Sequence, residues 1–218
     1  MNLNNLTKQY INFLPRSKRN IEIIEHYFDL TRALSPDQKK LLKSVVRNKK
    51  TSIYKHRRMG ATTAIDAFLS VEVFMTEEPI NIVVMCPYMI MCEEHRRNFI
   101  RFLTQMPISL NDSFNDEKIF DTCRPDEIRL KNGSRIIFTV PKVDKLCGLN
   151  IDYMVFDECN LLDNSLLSYT IATENSKHGK IVSINTDFMD LSQYTQYMVP
   201  IIIGFCMCVG YVIKNSFF

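Results

Sequence analysis

Lys55-His56-Arg57-Arg58-Met59-Gly60-Ala61-Thr62-Thr63 is the stretch whose reading decides the fold. Before it, Thr51-Ser52-Ile53-Tyr54 is a short β-favouring run; after it, Thr62 to Met75 carries Ile65, Phe68, Leu69 and Val73 at helical spacing. Strand, basic loop and helix in that order are the context in which a glycine-bearing loop surrounds phosphate oxygens with backbone amides. Gly60 permits the tight turn, and Thr62 opens the helix with a hydroxyl able to reach a magnesium ion. Against the pattern GxxxxGK(S/T), Lys55 stands where the first glycine belongs and Ala61 where the lysine belongs, so two of the four fixed positions differ. A basic turn before an ordinary helix is the competing reading of this loop taken alone.

Moving outward, Ile80 to Cys86 (INIVVMC) is an almost wholly apolar run stopped by Pro87, as a buried parallel strand reads, and Met89 to Gln105 follows as a helix. A polar stretch at about 107 to 125 separates these from Glu127 to Leu130 and Arg135 to Val140, which flank Lys131-Asn132-Gly133-Ser134, an Asn-Gly hairpin signature. Tyr153 to Phe156 and Lys180 to Ile184 read as strands, with a weaker helix between Asn164 and Thr173. Upstream, Asn20 to Thr31 and Pro36 to Asn48 read as helices, the second with Ser35 as N-cap and Pro36 at its first position. Alternating strands and helices predict an α/β fold: a P-loop NTPase-like, mostly parallel sheet flanked by helices, with an inserted hairpin. The expected organisation is an N-terminal helical segment (1–33), the P-loop domain (34–190) and a hydrophobic C-terminal tail (191–218).

The loop after Tyr153-Met154-Val155-Phe156 begins Asp157-Glu158. In open parallel sheets ligands sit beyond the carboxyl ends of the strands, so these acids are delivered to the same edge as the glycine turn. One carboxylate can enter a magnesium shell and the next can orient a water that attacks a phosphate. An Asp-Glu pair after an apolar run also occurs as a plain turn start, and it is the ordered pairing of the two loops that makes the phosphate reading specific.

Composition sets the outer bounds. Hydrophobic content of 46% with 23% charged residues belongs to a chain that buries a core, which excludes intrinsic disorder. Seven cysteines without a CxxC pair, and only four histidines, indicate reduced thiols rather than a disulfide framework or a zinc ribbon. The opening MNLNNLTKQY lacks a secretory signal pattern. Residues 1–60 hold fourteen Lys+Arg against four Asp+Glu, whereas residues 61–218 hold thirteen against twenty. Arg47, Lys49, Lys50, Lys55, Arg57 and Arg58 therefore form a basic cluster that attracts a polyanion, nucleoside phosphate or DNA backbone. Lys39, Lys40 and Lys43 read as a solvated helix face.

Taken together, these blocks resemble the ATPase half of the large terminase subunit, the viral motor that packages DNA. Ser35-Pro36-Asp37-Gln38 is similar to the segment whose glutamine contacts adenine, and KHRRMGATT looks like the family's deviant Walker A, in which lysine sits early in the loop. INIVVMCP, GSRIIF, the segment Leu146 to Asp152 and YMVFDE follow in the family's order, and Ser183-Ile184-Asn185-Thr186 falls at its coupling motif. The resemblance spans about residues 30 to 190. It implies ATP and Mg2+ as cofactors, Lys55 on the β/γ-phosphates, and Arg58 as sensor or cis arginine. It further implies Gln38 on adenine, Thr62 and Asp157 on magnesium, and Glu158 as the water-activating base. The loop Lys55, Arg57, Arg58, Met59, Gly60, Ala61, Thr62 and Thr63 would cradle the phosphates. Implied partners are double-stranded DNA, bound non-specifically, a portal, a small terminase subunit and a homo-oligomeric ring, all inside an infected host cell. Acidic nuclease ligands are not found after Asp190, so the expectation is a chain without its own nuclease, completed by a separate nuclease subunit.

His56 reads as a polar loop residue and His95 as a helix-surface residue. Tyr197 to Ile213 is seventeen residues without a charge, interrupted by Pro200, Gly204 and Gly210; a membrane anchor, a buried core element and an aberrant end of a truncated frame all remain open for it. Two further readings of the whole chain stand beside the motor: a non-catalytic scaffold subunit that keeps the fold, and a helicase-like DNA translocase.

Overall fold

The computed structural model describes residues 13–30, 33–56, 58–111, 113–114, 118–141, 146, 148–162, 173, 176 and 179–186. Arg57, the tail 191–218 and all of the expected helix 164–173 except Thr173 lie outside the described residues. Among the described residues no helix is long and apolar enough to cross a membrane, and the apolar run 197–213 is not among them. The chain divides into two compact units, 1–185 and 186–218; of the second, only Thr186 is described.

Within the first unit, helices α1 (Arg16–Tyr27), α2 (Pro36–Arg47), α3 (Ala61–Met75) and α4 (Met89–Gln105) are interleaved with strands. The strands are β1 (Lys50–Lys55), β2 (Asn81–Met85), β3 (Phe120–Cys123), β4 (Glu127–Leu130), β5 (Arg135–Thr139), β6 (Tyr153–Asp157) and β7 (Lys180–Thr186). They form one seven-stranded sheet in the order β1-β7-β6-β2-β5-β4-β3. β2 pairs in parallel with both β5 and β6, and β6 with β7. β1 runs the same way as β7, since Ile181 N–H donates to the Lys49 carbonyl and Ser52 Oγ meets Ser183 Oγ further along both strands. β4 and β3 add antiparallel beyond β5.

The sheet is buried on both faces along β2, β5 and β6, as expected from their continuous apolar runs, while β1 alternates exposed and buried residues. Ile82 and Val84 of β2, Ile136 and Phe138 of β5, and Tyr153 and Val155 of β6 face the cluster that also holds the helices. Their alternating neighbours Val83, Met85, Ile137, Met154 and Phe156 face a second cluster with Leu146, Ile151 and Leu162. α3 is the central helix: Ala64 to Phe74 is buried without interruption, which is why its apolar residues go almost all the way round. Each fully buried Leu, Ile or Phe here is worth roughly 1.5–3 kcal/mol against exposure.

Several expectations are adjusted. α1 begins at Arg16, four residues early, because Pro15 supplies an extended entry and its carbonyl accepts from Lys18 and Arg19 N–H. It ends at Tyr27, where Phe28 turns extended and stacks its ring on Phe102 at 4.7 Å. The polar stretch contains a strand, β3, that had no apolar signature: Phe120 and Thr122 are half-buried while Asp121 and Cys123 are exposed, so pairing to β4, not hydrophobicity, makes it a strand. The expected hairpin lies at the outer edge of the sheet, where β5 pairs parallel to β2 on one side and antiparallel to β4 on the other. α2 starts as expected, with a capping box in which Ser35 and Gln38 bond each other's backbone N–H.

Candidate active site

Strand direction brings the two motif loops together. Lys55 is the last residue of β1 and Asp157 the last of β6, and these strands are separated by β7 alone, so both side chains arrive at one sheet edge. The loop after β1 then reverses into α3. Gly60 caps that helix at φ 70°, ψ 21°, a left-handed conformation that glycine adopts without steric cost. A Cβ at this position would lie 2.8 Å from Gln38 Nε2. The first-turn amides of Ala61, Thr62 and Thr63 have no acceptor within the helix and point out of its positive end.

Below this turn the predicted residues converge. Lys55 Nζ donates to Thr62 Oγ1 at 2.7 Å and to Asp157 Oδ1 at 3.3 Å, and lies 3.4 Å from Glu158 Oε1. Thr62 Oγ1 is 3.4 Å from each oxygen of Asp157. Glu158 stands at φ 50°, ψ 50°, left-handed for a residue with a Cβ, and its own N–H donates to Asp157 Oδ1 at 3.1 Å. Held strain of this kind turns the Glu158 side chain back toward the amine of Lys55 instead of continuing the strand. Thr62 and Asp157 are hard oxygen donors on one small site; a magnesium ion uses one or two such protein oxygens and fills its octahedron with water and phosphate oxygens, so this donor set fits it.

Gln38 fastens the loop. Its Nε2 donates to the Met59 and Gly60 carbonyls at 3.0 and 3.2 Å, while Oε1 accepts from Ser35 N–H at 2.8 Å. Beside it a cavity of about 380 Å³ is lined by Leu30, Leu34, Gln38, Met59, Thr63 and Ala64, among others. Arg58 also borders this cavity, is exposed and sits at φ 68°. His56 is exposed, as expected of a polar loop residue. Lys40 and Lys43 are exposed, while Lys39 pairs with Glu25 at 2.6 Å.

His95 corrects the sequence reading: it is not on the surface but 1% exposed. Its Nδ1 lies 2.6 Å from Asp66 Oδ1 and its Nε2 3.2 Å from Asp157 Oδ2. Asn98 Nδ2 donates to the second oxygen of Asp66 at 2.8 Å. Burial works against the imidazolium, but the flanking carboxylates of Asp66 and Asp157 outweigh it and raise His95 to about 10. Burial likewise opposes ionisation of Asp157, yet His95 and Lys55 hold it below its ordinary value. Asp66, the most enclosed of the three, is raised by burial, partly offset by His95 and Asn98. A signal for this trio was present. Asp66 follows Thr62 by one turn on α3, and His95 shares a helical stripe with Cys92, Phe99 and Phe102, all of which are buried.

No protein-family model and no curated protein sequence matches the chain. Solved structures do. The large terminase of bacteriophage HK97 superposes with a TM-score of 0.64 at 15% identity, covering 79% of this chain and 38% of that one. The chain has the fold of a large-terminase ATPase domain. A large terminase from a thermophilic bacteriophage matches at TM-score 0.51 and 20% identity, covering 71% of this chain and 39% of that one. The ATPase domain of the Thermus phage P74-26 large terminase matches at TM-score 0.50 and 15% identity, covering 66% and 63%. The terminase-like chain thus spans under two fifths of the length of the first two large terminases.

Proposed function

We propose that the chain binds ATP with magnesium and hydrolyses it as the ATPase of a viral DNA-packaging motor, moving double-stranded DNA into a capsid. The observation that carries this reading is the meeting of Lys55, Thr62, Asp157 and Glu158 at one sheet edge, in steps of at most 3.4 Å, beneath the Gly60 turn. The terminase-like fold supports it.

The adenine base would enter the cavity beside Gln38, whose Oε1 keeps one lone pair beyond its bond to Ser35. Phosphate oxygens would meet the first-turn amides after Gly60 and the amine of Lys55, with Arg57, Met59 and Thr63 completing the loop. Magnesium, when bound, neutralises charge that builds on the phosphate oxygens, and Thr62 and Asp157 are its candidate ligands. Glu158 would orient the attacking water and accept its proton. Arg58, which has no hydrogen-bond partner among the described residues, would serve as sensor or cis arginine. Catalysis of this kind is mainly positioning and electrostatics.

DNA would be held through phosphates by basic residues concentrated in the first sixty positions, without base specificity. A portal, a small terminase subunit and a ring of identical chains complete the proposed machine, inside an infected host cell. The test is magnesium-dependent ATP turnover, with and without duplex DNA, for the native chain, Glu158→Gln and Lys55→Ala. Turnover that both substitutions abolish supports the motor. A folded native chain with no turnover refutes it in favour of a non-catalytic scaffold subunit.

A further inference from the structure

We propose that His95 is a positioning residue for the magnesium-binding carboxylate: its ring, anchored on Asp66, holds one oxygen of Asp157 so that the other faces Lys55. The inference rests on the ATPase reading and deepens it.

The two oxygens of Asp157 have different principal partners. Oδ2 meets His95 Nε2 at 3.2 Å, whereas Oδ1 accepts from Glu158 N–H at 3.1 Å and from Lys55 Nζ at 3.3 Å; Thr62 Oγ1 lies 3.4 Å from both. A carboxylate on a strand end that is held on one side only can rotate about its Cβ–Cγ bond; held by the ring, it presents Oδ1 outward. Both ring nitrogens of His95 face acidic oxygens, Asp66 Oδ1 at 2.6 Å and Asp157 Oδ2, so the ring is a fixed bridge between two carboxyl groups.

Asp66 has two consequences of its own. Its Oδ1 lies 2.6 Å from His95 Nδ1, so the ring is held from turning away from Asp157. Asp66 also lies one helical turn beyond Thr62 on α3, so the other candidate magnesium ligand rides on the same helix face. Asn98 Nδ2 at 2.8 Å, and Ser70 Oγ donating to the Asp66 carbonyl at 2.8 Å, lock this end. α3, α4 and β6 are thus tied into one unit directly beneath the Gly60 turn, and a buried ionic trio is an expensive way merely to fill a core, since apolar side chains of equal volume usually serve stability as well or better.

The experiment follows binding of a fluorescent ATP analogue as magnesium chloride is titrated, beside the same binding in EDTA and a circular-dichroism check of folding. His95→Gln is compared with native, and with Asp66→Asn/His95→Gln, which replaces both members of the buried pair with uncharged amides of similar size. The expected result is a magnesium midpoint raised roughly 10- to 100-fold in both variants, with analogue binding in EDTA within about twofold of native. A folded variant with an unchanged midpoint overturns the inference and leaves the ATPase reading standing. A native chain that shows no magnesium-dependent binding overturns both. On the native chain, the His95 Nε2 resonance of a nitrogen-15-labelled sample is expected to move when magnesium is added to the analogue-bound protein; a resonance that stays in place also overturns the inference, whether or not the variants fold.

Discussion

Replacing Gly60 with alanine tests the loop on which the site depends. Gly60 sits at φ 70°, ψ 21°, where an L-residue costs about 1–2 kcal/mol. The added Cβ would also lie 2.8 Å from Gln38 Nε2. That amide ends a flexible side chain and can withdraw, but withdrawal breaks its bonds to the Met59 and Gly60 carbonyls, each worth about 1 kcal/mol. The expected loss is therefore about 3–4 kcal/mol, or a fall in Tm of about 6–16 °C for a chain of this size. Thermal unfolding followed by circular dichroism reads the first quantity, and binding of a fluorescent ATP analogue reads the second, which is expected to weaken as the loop opens. In a Gln38→Ala background the contact is absent, so Gly60→Ala is expected to cost only the backbone share, about 1–2 kcal/mol. Equal costs in the two backgrounds, or a cost below about 0.5 kcal/mol in the native one, would refute the loop geometry described above.

Glu158→Gln is expected to lower ATP turnover by about 10²- to 10⁴-fold while analogue binding is retained, since the substitution removes a base and keeps the shape; turnover within threefold of native rules Glu158 out as the base. His95 is raised by folding to about 10, so the proton it holds stabilises the folded state fully below about pH 6.5, and that stabilisation declines as pH rises toward about 10. Urea unfolding from pH 6 to 10 is expected to show native losing stability relative to His95→Gln across that window; parallel curves would contradict the assignment. Tyr153→Phe removes the hydroxyl that donates to buried Glu72 at 3.0 Å, at the opposite end of β6 from Asp157. A loss of about 1.5–3 kcal/mol in unfolding free energy, with turnover per folded molecule unchanged, is expected. DNA stimulation of turnover is expected to fall steeply between 50 and 200 mM salt for a phosphate-bound partner, about equally for unrelated duplex sequences; a flat response argues against backbone contacts.

Most of the fold was legible in local pattern. The parallel strands β2, β5, β6 and β7 are runs of Ile, Val, Met and Phe bounded by turn residues, and the capped start of α2 is written in Ser35, Pro36 and Gln38. β3 was not legible, because it is held by ladder bonds to β4 and carries Asp121, Thr122 and Cys123 where an apolar signal would have been needed. The hairpin turn was correctly placed around Gly133, but which neighbour β5 would take on its other side depended on a crossover through residues far away in sequence.

The same division holds at the site. Gly60, Thr62, Asp157 and Glu158 follow from residue type and order, because a chain that handles phosphate must put a flexible turn, a hydroxyl and acids at strand ends, and strand ends are marked by composition; the role of Lys55 came from the resemblance to large-terminase ATPases. The helical stripe of Cys92, His95, Phe99 and Phe102 could have marked His95 as buried, but its pairing with Asp66 and Asp157 arises only when α3 and α4 pack across the sheet. Covalent order determines which groups can arrive at an edge, since strand direction follows from the chain. Packing decides which buried charges face one another, since that is set by contacts between elements that no local pattern encodes.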